Sequence, residues 1–274
     1  MMITSAANPR VKGWSSLLTK RGRDEQGAFL LEGVHLIEEA LRSQAKVKTI
    51  LYNLDRELPA ELEPYRPGRP MEEQGKDIEW VGVSEAVLAK CTETKTPQGV
   101  VAVCTKPEYD AAAFLEHKLA LVVAVDGVQD PGNLGTIIRT ADAAGATGVL
   151  LGRGTVDLYN PKTVRSTMGS LFHLPIAECD LKELLPAAGQ RGIRLVGTRL
   201  DARQHCYDLD LTQPVWFLVG NEGSGLSPEL ASYVNEDIII PMPGQAESLN
   251  VAMATGILLY EAVRQRHFSK PPSI

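Results

Sequence analysis

At roughly 150 residues per domain, a chain of 274 residues has room for two domains. Hydrophobic residues make up 44% and charged residues 23%, which excludes a disordered polymer, and 24 glycines with 17 prolines in no fixed period exclude a collagen-like repeat. The net charge of −6 argues against indiscriminate binding to nucleic acid. No apolar run reaches the roughly 18 residues of a membrane helix, and Met1–Arg10 lacks the apolar core of a signal peptide. A cytoplasmic protein with no membrane partner is expected.

The charge is unevenly spread. Met1–Arg23 holds Arg10, Lys12, Lys20, Arg21 and Arg23 and no acidic residue. Such a run is a solvated face unless a second feature points to RNA. Cys91, Cys104, Cys179 and Cys206 form no C-x-x-C pair, and only Cys206 has a histidine beside it, so no metal site is expected.

Along the chain, Phe29–Leu31 is a short apolar run. An amphipathic helix follows Gly33, with Val34, Ile37 and Leu41 on one face. Val47–Tyr52, Ile78–Val83 and Gly99–Cys104 read as strands. Arg56–Gln74, rich in Pro and Glu, reads as a surface excursion, and Ser84 as the cap of a short helix. These elements make a smaller N-terminal α/β domain, residues 1–106, joined by a linker at 107–117 to a second domain at 118–274.

The second domain alternates strand and helix, which implies an α/β fold with a mainly parallel sheet. Leu119–Val125 is a continuous apolar strand, as a sheet covered on both faces requires. A helix is predicted from about Asn133 to Ala144 on the stripe Leu134, Ile137, Ile138, Ala141. Gly148–Leu151, Ile193–Gly197, Val215–Val219 and Ile238–Ile240 read as further strands. A last helix, about Leu249–Arg266, places Leu249, Met253, Ile257, Tyr260 and Val263 on one face.

Three strand ends lead into loops of unusual polar and glycine content: Asp126–Gly135 with Arg139 beyond it, Gly220–Gly225, and Ile240–Asn250. In an open α/β sheet, ligands bind beyond the carboxyl ends of the strands. Taken singly, each loop has a plain reading: glycines make turns, Asn133 and Ser248 cap helices, and Glu222 is a solvated charge. Arg139 is different. It lies about 140° around the helix from Leu134, off the apolar stripe, where a guanidinium can grip a phosphate. Common alternatives fail. There is no G-x-x-x-x-G-K-[ST], no H-E-x-x-H and no G-x-S-x-G, and Gly220, Gly223 and Gly225 are in the wrong order for a dinucleotide fingerprint.

Together the loops resemble the three signature motifs of the SpoU family of RNA 2′-O-ribose methyltransferases, in the SPOUT superfamily. The matches are Asp130-Pro-Gly-Asn-Leu-Gly135 through Arg139, Val219-Gly-Asn-Glu-Gly-Ser-Gly225, and Ile240-Pro-Met242 with Ser248-Leu-Asn-Val251. The segment Asn160–Pro175 is similar as well, and the resemblance covers about Leu119–Arg266. The N-terminal part resembles the L30e-like substrate-binding domain attached to this family, through Phe29-Leu-Leu-Glu-Gly33 and Thr96-Pro-Gln-Gly-Val-Val101.

The resemblance implies a deep trefoil knot near the C-terminus, a homodimer, and S-adenosylmethionine as methyl donor. It implies RNA as substrate, rRNA before tRNA because of the appended domain. Arg139, Asn133, Glu222, Ser248 and Asn250 become the expected catalytic residues. Gly220, Ile240, Leu249 and Thr198 become cofactor contacts, and Arg10, Lys12, Lys20, Arg21, Arg23 and Arg165 become RNA contacts. Glu222 is expected to orient Arg139 or to anchor the second loop, and the two asparagines to hold the ribose or its backbone. Ala252 departs from the family, which often has serine there. The competing functions are a non-catalytic RNA-binding protein on the same fold and a dinucleotide-dependent oxidoreductase.

Overall fold

The computed structural model describes residues 2–71, 77–94 and 98–268, in two units: Met1–Pro107 with Asp157–His173, and Glu108–Val156 with Leu174–Ile274. Thr96 and Pro97 of the N-terminal motif, and residues 72–74 of the expected excursion, lie outside the described residues.

The first unit begins with β1 (Met2–Ile3), then two helices where the sequence reading saw only a basic run: α1 (Pro9–Ser16) and α2 (Lys20–Gln26). Asn8 caps α1 ahead of Pro9, Thr19 caps α2, and Gly27 ends α2 at a φ of 56°, a left-handed conformation that glycine adopts without strain. There follow β2 (Ala28–Glu32), α3 (Val34–Arg42), β3 (Val47–Asn53), β4 (Glu79–Val83), α4 (Glu85–Lys90) and β5 (Val100–Thr105). The sheet order is β1-β4-β3-β5-β2. The first three are parallel, and β5 runs antiparallel to both its neighbours. Ile37 and Leu41 of α3 are buried as the periodicity predicts. Ser84 stands at the start of α4, but its hydroxyl donates to Thr4 O at 3.0 Å rather than capping the helix.

Arg23 corrects an expectation. It does not extend the basic face: only 2% of it is exposed. Its guanidinium donates to Leu17 O and Leu18 O, both at 2.9 Å, and to Asp157 Oδ2 at 2.5 and 3.1 Å. A buried carboxylate that loses its partner charge is costly. Arg23→Met is therefore expected to destabilise this unit by about 3–5 kcal/mol, measured by denaturant unfolding. Arg23→Met, Asp157→Leu should recover most of the loss.

The second unit holds β6 (Leu121–Val125), β7 (Gly148–Leu151), β8 (Ile176–Glu178), β9 (Arg194–Thr198), β10 (Gln204–His205), β11 (Val215–Val219) and β12 (Glu236–Ile239), all parallel, in the order β10-β12-β9-β11-β6-β7-β8. β6 (Leu121–Val125) and β11 (Val215–Val219) form its centre and are buried along their whole length, which is why they read as unbroken apolar runs. α5 (Pro131–Ala143) follows β6 and buries Leu134, Gly135, Ile137, Ile138 and Ala141. After β7 (Gly148–Leu151) the chain passes through α6 (Pro161–Thr167), which belongs to the first unit, and returns in β8 (Ile176–Glu178) and α7 (Leu181–Gln190).

The last part of the chain has an unusual path. β12 (Glu236–Ile239) lies between β9 (Arg194–Thr198) and β10 (Gln204–His205). Arg199 N donates to Ile238 O at 3.0 Å, and Cys206 N to Ile239 O at 2.9 Å. Residues 199–205 thus cross from one flank of β12 to the other at its carboxyl end. α8 (Pro228–Ala231) precedes β12, and α9 (Val251–Val263) follows the third loop. Beyond α9, Gln265 Nε2 donates to Leu209 O at 2.9 Å, and Arg266 donates to the carbonyls of Leu211, Gln213, Leu119 and Ala120.

α9 buries the side opposite much of its apolar stripe. Its buried residues are Ala252, Thr255, Leu258, Leu259, Glu261 and Ala262. Of the stripe named from the sequence, Met253 is 56% and Tyr260 53% exposed and Leu249 is exposed, while Ile257 and Val263 are half-buried. Small residues on the inner face let α9 approach α5: a Cβ at Gly256 would stand 3.5 Å from Thr140 Cγ2.

Candidate active site

The three loops meet. β6 delivers the first, β11 the second and β12 the third, all at the carboxyl ends of parallel strands. The second loop is folded tightly on itself. Asn221 N and Gly225 N each donate to the other's carbonyl, at 2.9 and 3.0 Å. Gly220 is required there, because a Cβ would lie 2.1–2.3 Å from main-chain atoms of Gly225 and Leu226.

Glu222 projects from this turn onto the first loop. Its carboxylate accepts from Gln129 N at 3.1 Å, from Asp130 N at 3.0 Å and from Asn133 Nδ2 at 3.0 Å. Burial pushes its carboxyl pKa up, but the hydrogen bonds from Asn133, Asp130 and Gln129 outweigh that and hold it below its ordinary 4.5. Glu222 therefore anchors the second loop to the first, which is one of the two roles expected for it. It does not pair with Arg139.

The polarity of the polar chain beyond Glu222 is set by helix geometry. Asn250 caps α9: its Oδ1 accepts from Ala252 N at 2.9 Å and Met253 N at 3.3 Å. Its Nδ2 must then be the donor, and it reaches Asn133 Oδ1 at 2.9 Å. Asn133 is thereby obliged to offer its own Nδ2 to an acceptor, which is Glu222. A helix N-terminus, two amides and a carboxylate lock the three loops together. The cap of α5 is Asp130, whose Oδ1 accepts from Asn133 N at 2.9 Å. The plain reading of Asn133 and Ser248 as caps gives way to Asp130 and Asn250, each three or fewer residues away.

Arg139 stands on the exposed face of α5, and among the described residues its guanidinium has no hydrogen-bond or ion-pair partner. Ser248 and Leu249 are exposed on the third loop, Ile240 is buried at its start, and Thr198 ends β9 half-buried. Among the described residues, no main-chain N–H from Met242 to Leu249 donates a hydrogen bond.

The expected RNA contacts separate by environment. Lys12, Lys20 and Arg21 are exposed, Arg21 holding Glu25 at 2.7 Å. Arg10 lies over the Trp14 ring at 4.9 Å and pairs with Glu79. Arg165, on α6, meets Glu32 at 3.4 Å within the first unit. Sequence reasoning passed over Asp126 and Asn221. Asp126 Oδ2 accepts from Ser227 N at 2.7 Å, and Asn221 Nδ2 donates to Gly127 O at 2.9 Å. Both lie inside the quoted loops, where polar residues at strand ends were the available signal. Burial pushes the thiols of Cys91 and Cys179 up to about 11 and that of Cys104 up to about 12.

Comparison with known proteins bears on this arrangement. Residues 120–260 match the model of the SpoU rRNA Methylase family, and residues 8–102 match an MRM3-like substrate binding domain. The chain is 41% identical to the 23S rRNA (guanosine(2553)-2'-O)-methyltransferase RlmP of Bacillus subtilis, over 94% of this chain and 97% of that protein. It is 38% identical to the 23S rRNA (uridine(2479)-2'-O)-methyltransferase of Streptomyces viridochromogenes, over 96% and 92%. Among solved structures, the SpoU methyltransferase AviRb from Streptomyces viridochromogenes, in complex with the cofactor AdoMet, superposes with a TM-score of 0.85. Its sequence identity is 36%, over 96% of this chain and all of that one. The AdoMet-bound rRNA methyltransferase from Sinorhizobium meliloti gives the same score and identity, over 98% and 99%.

Proposed function

This chain belongs to the SpoU rRNA methylase family, and from that premise we propose that it methylates a ribose 2′-hydroxyl of ribosomal RNA, with S-adenosylmethionine as donor. The observation that carries the proposal is the Glu222–Asn133–Asn250 chain, which draws three distant motifs into one site and leaves Arg139 unengaged beside it.

The residues fit the donor. The third loop offers main-chain N–H groups with no internal partner, next to the apolar side chains of Ile240 and Leu249, as recognition of an adenine edge and face requires. Gly220 keeps the neighbouring turn close enough to form one wall, and Thr198 ends the strand beside β12. Once bound, S-adenosylmethionine supplies an electrophilic methyl group on a sulfonium sulfur. The chain's own work is positioning. A guanidinium is a poor base, since its pKa exceeds ~12. Arg139 therefore orients the RNA phosphate next to the target ribose and stabilises charge developing on the 2′ oxygen, while phosphate or water accepts the hydroxyl proton. Ser248 lends a hydroxyl at the same opening. Asn133 and Asn250 hold the loops rather than the ribose, because their amides are already engaged with each other and with Glu222 and α9.

Residues 1–106 act as an L30e-like RNA-binding domain, with 118–274 as the methyltransferase domain. The RNA-facing cations are Lys12, Lys20 and Arg21, with Arg10 held on Trp14 and Arg165 on Glu32 in supporting positions. Alanine at Lys12, Lys20 and Arg21 together is expected to weaken rRNA binding. The slope of log affinity against log salt should also fall by about 2–3, one unit for each lost phosphate contact, as filter binding across a salt series measures.

The path of residues 199–205 from one flank of β12 to the other supports a trefoil knot, since the strand they cross is the one that leads on into the third loop and α9. The exposed Met253 and Tyr260, with half-buried Ile257 between them, support a homodimer through the C-terminal domain. Ribosomal RNA as substrate supports a cytoplasmic location, and no helix among the described residues is long and apolar enough to cross a membrane. Titration calorimetry with S-adenosylhomocysteine and with NAD tests the cofactor class. Heat with the first alone is expected; heat with NAD alone would favour the oxidoreductase.

A further inference from the structure

We propose that Asn221 is a positioning residue of the methyl-transfer site, acting through Glu222 to keep the Glu222–Asn133–Asn250 chain in register. The inference rests on the reading above and adds to it a residue that the reading does not use.

Glu222 is exposed at the tip of a short turn, so something other than packing must hold its carboxylate against the first loop. The Asn221 side chain is placed to do so from both ends. Its Oδ1 accepts from Gly223 N at 2.9 Å, Ser224 N at 3.1 Å and Ser224 Oγ at 3.2 Å, which shapes the turn from within. Its Nδ2 donates across to Gly127 O at 2.9 Å, which ties the turn to the first loop two residues before Gln129, one of the Glu222 donors. One amide thus sets both the curvature of the turn and its distance from the groups that Glu222 must reach. The other tether, Ser227 N to Asp126 Oδ2 at 2.7 Å, holds the far end of the turn and does not depend on Asn221. Losing Asn221 should free the tip without detaching the loop.

Aspartate isolates the contribution of Nδ2. It can accept every bond that shapes the turn, but it cannot donate to Gly127 O, and it sets a second carboxylate where Nδ2 now lies 3.5 Å from Glu222 Oε2. Alanine removes both functions. The full chain and its Asn221→Asp and Asn221→Ala variants are compared by steady-state methyl transfer to ribosomal RNA, S-adenosylhomocysteine affinity, melting temperature and the side-chain NH₂ resonances of Asn133 and Asn250.

Both variants are expected to lose about 10–100-fold in kcat, while S-adenosylhomocysteine affinity changes less than about threefold, the pattern of a misplaced rather than missing group. The Asn133 and Asn250 resonances should move towards those of exposed amides, and Asn221→Asp should melt within a few degrees of the parent. Unmoved resonances in Asn221→Asp would overturn the proposal. So would kcat and affinity falling in step with melting. If the parent methylates no RNA, the function proposed above fails, and the resonances still decide whether Asn221 sets the chain.

Discussion

Arg139→Ala is expected to lower methyl transfer by about 10³-fold, at the upper end of what one oriented donor to a developing oxyanion contributes. Folding stability should stay within about 0.5 kcal/mol of the parent, because an exposed side chain outside any internal network contributes little to the fold. This combination follows from where Arg139 stands. α5 buries Leu134, Ile137, Ile138 and Ala141 on one side and turns Arg139 to the other. Glu222 is spent on the first loop. The guanidinium is therefore available to substrate and unnecessary to structure. Arg139→Lys keeps the charge but loses the fork, and should still lose more than about tenfold. Near-normal turnover in that variant would contradict the phosphate-orienting role, and a large drop in melting temperature would contradict the geometry.

Glu222→Gln is expected to cost about 10²-fold in kcat, although the two side chains have nearly the same shape and differ by one oxygen replaced with NH₂. The carboxylate accepts four N–H groups, the longest from Asn221 Nδ2 at 3.5 Å, and donates none. A glutamine has a single acceptor oxygen. Either its NH₂ faces donors on the first loop, or Asn133 flips to meet it. A flipped Asn133 would turn its own NH₂ against that of Asn250, which the cap of α9 prevents from flipping in turn. The mismatch cannot be relieved locally, which is the behaviour of a fully satisfied polar network.

The same bonds set a pH dependence. The folded-state pKa of Glu222 lies below its ordinary 4.5, so the carboxylate's contribution to stability is complete above about 4.5 and is lost as pH falls through the lowered value. Protection of the Gln129 and Asp130 amides, relative to their intrinsic exchange rates at each pH, should fall in that acid window in the parent. In Glu222→Gln it should already be low at neutral pH. Protection of both amides in the variant equal to that in the parent would remove Glu222 from the role of anchor.

The parts of this site legible in the sequence were those written in contiguous residues. The three loops could be found because each breaks an apolar strand with glycines and polar groups, and strand–helix alternation put all three at one end of a parallel sheet. What the residues bond to was less legible. Asn133 and Ser248 looked like helix caps because they precede apolar periodicity. The true caps, Asp130 and Asn250, are distinguished only by backbone geometry that allows one acceptor to reach N–H groups two and three residues ahead. Arg23 looked like its neighbours in a basic run. Its burial depends on Asp157, 134 residues later, and no local pattern shows a contact of that span. The stripe on α9 was legible as an apolar face but its exposure was not, since periodicity identifies an apolar side without saying what covers it. The crossing of residues 199–205 over β12 was invisible for a related reason: β10 is two residues long, too short for any periodicity.

The most direct test of the account is transfer of the labelled methyl group of S-adenosylmethionine to ribosomal RNA stripped of its marks by deletion of the gene. Nuclease digestion and mass spectrometry then locate the label. The account predicts one 2′-O-methylated nucleotide, formed by the parent protein and not by Arg139→Ala. Label on a base, or equal label from Arg139→Ala, would contradict it.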